Sequence, residues 1–412
     1  MLLSLQDDRI KPKGSRDPLG FELVWSHFGR KVVGNLTTIT SSLENFSVAT
    51  LGFYLTHRLL PNSTEQKHIM ECFLRYEQVT AYLRYAAEHR GIMGITRVTK
   101  RMRGDDALTL GLGKQSQILS DQASYGLWGL YSSAMRSTGL VGGDRRVPTQ
   151  EGVELGVLIA NELGEENVQR LMSWMEKDQS VDRAALNDDI AQAYVTAINN
   201  PKVRSQLLEQ LGTAGKTTGI QANLWRYSQD VLKASINREA GMELPEFVAA
   251  LVDTCSNDEV LKASLTNIQN VERLLVTANM LFRFLRTQDG KSIDKVTEAL
   301  QESIENLVQP RLEQPVADMS VPYRESLEQF RTALIGSDIR SALHVLIKQN
   351  EEVMQNRGGA SWVELEGNII RVRVSSESGD LRGQQYLQEH WDYDYFLGSF
   401  KNIATDQVRL NA

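Results

Sequence analysis

The chain has 412 residues, 41% of them hydrophobic, and a formal net charge of −7. That length supports two or three ordinary cores without cross-links, and the negative balance argues against wholesale coating of nucleic acid by the entire surface. Its 2 cysteines, Cys72 and Cys255, sit far apart in apolar helical patterns, which excludes a disulfide framework and points to a reducing compartment.

The opening MLLSLQDDRI has neither the basic start nor the apolar core of a signal peptide. The longest strongly apolar stretch, residues 48–55, is far short of the roughly 20 residues needed to cross a bilayer. A cytoplasmic location with no membrane partner is expected. Charge is uneven along the chain: residues 1–150 hold 19 Lys and Arg against 13 Asp and Glu, a surplus of 6, so residues 151–412 carry −13 to reach the total of −7. A basic front joined to an acidic back points to two kinds of partner, an anionic polymer and a protein.

Pro12, Gly14, Pro18 and Gly20 mark an irregular arm. Helical spacing follows over 21–29 and again over 65–89, where Ile69, Cys72, Phe73, Tyr76, Val79 and Leu83 recur at intervals of three and four and Gly91 supplies the stop. Segments 95–102 and 107–112, on either side of Gly104-Asp105-Asp106, predict a β-hairpin. Ser120 and Asp121 are N-cap candidates for a helix over 123–136, and a basic loop follows at 144–147. This order suits a winged-helix-like α+β module within 65–160.

Composition changes at Thr149: residues 151–190 carry 10 acidic against 3 basic side chains while keeping helical spacing. Ser256 with Glu259 predicts a capping box opening a long helix that runs past Leu281, and Gly290 closes it. Pro310, Pro315 and Pro322 mark a hinge, and two more helices are expected over 322–334 and 338–356. Gly367-Asn368, between 362–366 and 369–374, suits a tight hairpin turn, and a last helix is expected over 382–400. The expected fold is mainly α and multi-domain: a basic region 1–150 with the winged-helix-like module, an acidic all-helical domain 151–315, and 316–412 with helices, the β-hairpin and an aromatic C-terminal helix.

Among candidate sites, Gly212 to Thr218 resembles the end of a phosphate-binding P-loop, but the first glycine of that pattern would fall at Gln210 and a helix precedes it, so a helix-to-helix loop is expected. The six histidines are too scattered for a zinc site, and no cofactor is expected. Arg90, Arg97, Lys100, Arg101 and Arg103 fall within fourteen residues that contain no acid. On a hairpin Arg97, Arg101 and Arg103 would share one face, with Lys100 on the other, and Arg145 and Arg146 would extend the surface toward phosphates. Glu364 and Glu366 near Arg371 and Arg373 are expected to form cross-strand ion pairs rather than a nuclease centre. The aromatic stretch with Trp391, Tyr393, Tyr395 and Phe396 is open to two readings, a partner-binding surface and a docked core segment.

Pro18 to Trp25, Ile118 to Gln122 and Tyr125 to Tyr131 resemble segments of uncharacterised bacterial proteins encoded beside DNA-modification and antiphage defence genes. The resemblance covers about the first 150 residues and transfers no site residue. It implies a cytoplasmic accessory subunit acting with an ATPase, nuclease or modification enzyme on other chains. The expectation is therefore a non-catalytic, DNA-associated subunit. A helical scaffold that binds only proteins, and an enzyme whose site is assembled from distant residues, remain as alternatives.

Overall fold

A computed structural model describes residues 16–186, 188–213, 219–235, 241–301, 312, 314–316 and 318–411. It is 64% helix and 6% strand, so the chain is mainly α. In chain order the elements are α1 (Phe21–Val32), α2 (Leu43–Leu59), α3 (Gln66–Ala86), α4 (Ile95–Gly104) and β1 (Ala107–Leu110). Three short helices follow, α5 (Gln122–Tyr125), α6 (Leu127–Leu130) and α7 (Ser132–Ser137), then β2 (Val141–Gly142), β3 (Val147–Pro148), α8 (Gln150–Leu163), α9 (Glu165–Met175) and β4 (Gln179–Asp182). Next come α10 (Asp188–Ile198), α11 (Pro201–Thr213), α12 (Gly219–Ser235), α13 (Leu244–Thr254), α14 (Glu259–Leu285) and α15 (Ile293–Gln301). The chain continues through α16 (Arg324–Ile335), α17 (Ile339–Asn356), β5 (Val363–Glu366), β6 (Ile369–Val372), α18 (Gln384–Glu389) and α19 (Leu397–Leu410).

Contacts divide the described residues into two units, one built from 16–32 and 242–395, the other from 33–241 and 396–411. The expected domains 1–150, 151–315 and 316–412 do not coincide with them. The composition change at Thr149 describes side chains facing water, whereas α2 packs on α8 and α11 beyond it and β1 pairs with β4. One core therefore spans the compositional border.

In the first unit, α14 is the longest helix, with an apolar face from Leu261 to Leu285 that takes α1, α13 and α17 against it. Its cap is Asp258, whose side chain accepts from Leu261 N, rather than the expected Ser256. α17 holds two other segments through buried amides: Gln349 donates to Leu19 O at 2.9 Å, while Asn350 donates to Pro18 O and accepts from Trp362 N, both at 2.8 Å. The β5–β6 hairpin forms in the expected register around Gly367, with Glu364 opposite Arg371 and ion pairs at Glu366–Arg371 and Glu364–Arg373.

In the second unit, α3 is buried on every side from Cys72 to Arg84, and α2, α4, α9 and α10 surround it. Gly52 lets α2 approach closely, since a Cβ there would lie 2.5 Å from the Tyr76 ring. Phe53, Phe73, Tyr76 and Trp128 fill the contact. α19 closes the unit by packing on α11 and α12, with Phe400 edge-on to Trp225. The single helix expected over 382–400 is thus broken into α18 and α19: the backbone turns extended at His390, and Tyr395 and Phe396 adopt left-handed backbone just before α19.

Two expected elements do not form. Residues 95–104 are helix α4, not the first arm of a hairpin; Ile95, Val98 and Met102 have helical spacing, although β-branched Thr96, Val98 and Thr99 read as strand. β1 pairs instead with β4, Ala107 opposite Asp182, some seventy residues on. A winged-helix-like reading loses the hairpin it rests on. The helix expected over 123–136 is three pieces, because the Glu77 carboxylate takes the Leu127 N–H at 2.6 Å and Gly126 is extended.

Candidate nucleic-acid interface

α4 begins at Gly94, where a φ of +77° and the carbonyl oxygen of Ile118 leave no room for a side chain: a Cβ at this position would overlap that oxygen. The helix then has one fully buried residue, Val98, and lies over α3. Three and four residues separate neighbours on a helix, so Arg97, Lys100 and Arg101 lie along one side and Arg103 sits next to Lys100. This corrects the strand geometry, in which Lys100 pointed away from the arginines.

The arginines of this helix differ in what they do. Arg101 donates to Tyr82 Oη at 2.9 Å, to Ser116 O at 2.7 Å, to Gln117 O at 2.9 Å and to Gln115 O. Arg97 donates to Leu119 O at 2.6 Å and to Gln117 O. Both therefore clamp residues 115–119, and Gln78 holds the preceding Gly111 through reciprocal bonds. Lys100 and Arg103 are exposed and make no such bond among the described residues. Arg90 is exposed and lies over the Tyr85 ring, 4.6 Å from its centroid.

Backbone carbonyls orient a guanidinium without cancelling its charge. Among the described residues no carboxylate pairs with Arg90, Arg97, Lys100, Arg101 or Arg103, and Asp106, which follows the helix, pairs with Arg183 instead. Arg145 and Arg146 sit in the β2–β3 loop on other elements of the unit. Arg145 donates to Ser63 O at 3.0 Å, and Arg146 lies 3.8 Å over the Trp128 ring and bonds Ser132 Oγ. Burial first, then Arg136, lowers the Arg146 pKa to about 10, which still leaves it charged at neutral pH. The structure thus places these two on the β2–β3 loop rather than on α4.

No protein-family model matches the chain, and comparison with curated proteins and with solved structures finds no match. The site must be read from its own chemistry.

The aromatic stretch is folded onto its own unit as far as Tyr395. Trp25 stacks on Tyr393 at 6.0 Å and meets Tyr395 edge-on, and Trp391 also meets Tyr395 edge-on. Trp391 and Tyr393 are half-buried, while Tyr395 and Phe396 are buried. Glu272 of α14, fully buried, accepts from Asp392 N, from Tyr393 N at 3.1 Å and from Tyr395 Oη at 2.7 Å. Burial outweighs these donors and pushes its pKa up to about 8.

Three buried polar sites were not legible as sites. Glu77 accepts from Gln122 and Leu127 N, and its pKa rises to about 7 through burial. Glu44 pairs with the buried Arg84 and, at 2.6 Å, with His89. The third is Glu272. For α3 a signal existed: its apolar residues wrap the whole circumference, so the polar residues between them, Glu77, Gln78 and Arg84, had to be buried too. Residues 214–218 of the P-loop-like stretch lie outside the described residues, and Gly212 belongs to α11. No group of three or more His, Cys, Asp or Glu among the described residues is placed to hold a metal ion.

Proposed function

We propose that the chain binds the phosphate backbone of DNA through α4, as a non-catalytic accessory subunit that acts beside other protein subunits in the cytoplasm, a nuclease or ATPase among them. The observation that carries this reading is the run of cations on α4 with which no carboxylate among the described residues forms an ion pair, two of them fixed by loop carbonyls and two exposed without a hydrogen bond. Phosphate contacts favour this combination, because fixed guanidinium groups set register while long exposed side chains add charge. No membrane role is proposed, and no helix among the described residues is long and apolar enough to cross a bilayer. The buried thiols Cys72 and Cys255, the first pushed up to about 11 by burial, suit a reducing cytoplasm.

The test reverses Lys100 and Arg103 to Glu together. Neither side chain holds the loop, so the variant is expected to fold, whereas reversing Arg97 or Arg101 would release residues 115–119. DNA affinity at about 50 mM salt should fall at least tenfold, and the slope of log K against log salt should shrink by about 2 for two lost phosphate contacts. A folded double variant with unchanged affinity and slope refutes the interface. No DNA binding by the wild type at either about 50 or 200 mM salt refutes the function.

A further inference from the structure

In the first unit a cleft of about 510 Å³ opens at the end of α14, lined by Arg283, Arg286, Arg382 and the serines of the 375–378 loop. Arg283 and Arg286 are three residues apart on the last turns of α14, so the helix itself holds their charges side by side. Like charges at this spacing repel, and among the described residues no carboxylate forms an ion pair with either.

Arg286 is fixed in place. Its Nε donates to Val374 O at 2.9 Å and its Nη2 to Ser375 O at 2.7 Å, and the guanidinium lies 4.7 Å over the Trp362 ring. Its Nη1 hydrogens take no part in those bonds, and Arg283 makes no hydrogen bond among the described residues. Burial and the neighbouring Arg283 charge both lower the Arg286 pKa, as expected of two cations crowded without a counter-charge. Arg382 stands 3.6 Å from Asp380 in an exposed pair. The lining thus carries three arginines against Glu377 and Asp380, a surplus of one positive charge. The Ser375 hydroxyl also makes no hydrogen bond among the described residues, and adds another donor.

We propose that this cleft is a binding site for a phosphate group carried by a small molecule. Planar guanidinium groups bond phosphate oxygens in pairs, and here Arg286 is held on a fixed frame with Nη1 unused while Arg283 beside it keeps its donors unpaired among the described residues. The volume lies within the roughly 300–1,000 Å³ of small-molecule sites and has room for more than phosphate alone. The site belongs to the first unit and does not depend on the α4 interface, which belongs to the second.

The experiment is calorimetric titration of the full chain with inorganic phosphate, a nucleoside monophosphate, the matching nucleoside and a 5′-phosphorylated oligonucleotide, at constant ionic strength. Phosphate and the monophosphate should bind, the monophosphate more tightly than the nucleoside. Arg283→Gln, which removes no hydrogen bond among the described residues, should weaken both by about tenfold or more, and Arg283→Lys should recover part of the loss. The Lys100→Glu, Arg103→Glu variant should bind phosphate like the wild type. Equal phosphate binding by wild type and Arg283→Gln overturns the site, as does phosphate binding no tighter than chloride. Oligonucleotide binding lost in Arg283→Gln, without binding of phosphate or the monophosphate, overturns the small-molecule source.

Discussion

Glu272 offers a test of the first unit's packing that can be worked from its geometry. Its carboxyl, 0% exposed, is the shared acceptor that pins Asp392, Tyr393 and Tyr395 to α14, and it titrates near 8 instead of about 4.5. Between those values the folded chain keeps a proton that the unfolded chain has released, so stability must fall as pH rises from about 4.5 to 8. At about 1.4 kcal/mol for each pH unit, the whole interval is worth on the order of 5 kcal/mol. The groups facing it are Asp392, whose carboxylate takes His390 at 3.1 Å on one oxygen and Asn279 at 2.8 Å on the other, and the Tyr393 and Tyr395 phenols, which burial raises far above neutrality. Glu272→Gln keeps an amide oxygen for the two backbone N–H groups and removes the titration. Urea unfolding at pH 5, 6, 7 and 8, followed by tryptophan fluorescence of Trp25 and Trp391 beside the pinned segment, should show the wild type losing stability relative to the variant with each step. Because all other titrating groups are common to both proteins, their contributions cancel in the difference. A difference that stays constant from pH 5 to 8 would refute a buried, proton-holding Glu272.

Two further substitutions probe the frame. Gly94→Ala should destabilise the second unit by about 2 kcal/mol or more, since it combines positive φ with a Cβ that would overlap Ile118 O, and hydrogen exchange should locate the loss in α4; unaltered protection there would show that the entry to α4 is not strained. Asn350→Leu strips the acceptor from the Trp362 and Val363 N–H groups and the donor from Pro18 O, for a loss on the order of 3–5 kcal/mol by urea unfolding, and a loss below about 1 kcal/mol would mean that these groups find other partners.

Helix positions were largely legible because periodicity and end signals agree. The Asp338 cap of α17 and the Gly367 turn between β5 and β6 are local signals, and both elements form where the sequence places them. What was hidden is non-local. β1 finds its partner at residues 179–182, beyond the reach of any hairpin rule, and the breaks at Gly126 and at Tyr395–Phe396 depend on tertiary neighbours or on non-glycine residues in left-handed backbone. The unit boundaries were hidden for a related reason: charge composition reports what faces water, while α2, α8 and α11 share a core across the point where that composition changes.

The same distinction governs the candidate interface. A strand and a helix through residues 95–104 contain the same four cations, but only the helical period sets Lys100 beside Arg97 and Arg101, and only the fold shows that Arg97 and Arg101 are held by the 115–119 carbonyls. Had those arginines been held by carboxylates, only Lys100 and Arg103 would carry uncompensated charge, and half of the cluster would describe packing alone. Carbonyl acceptors instead leave every charge in place while ordering the loop, so structural and electrostatic roles coexist on one helix. Lys100 and Arg103, which carry charge without a packing duty, are the positions at which the two roles separate.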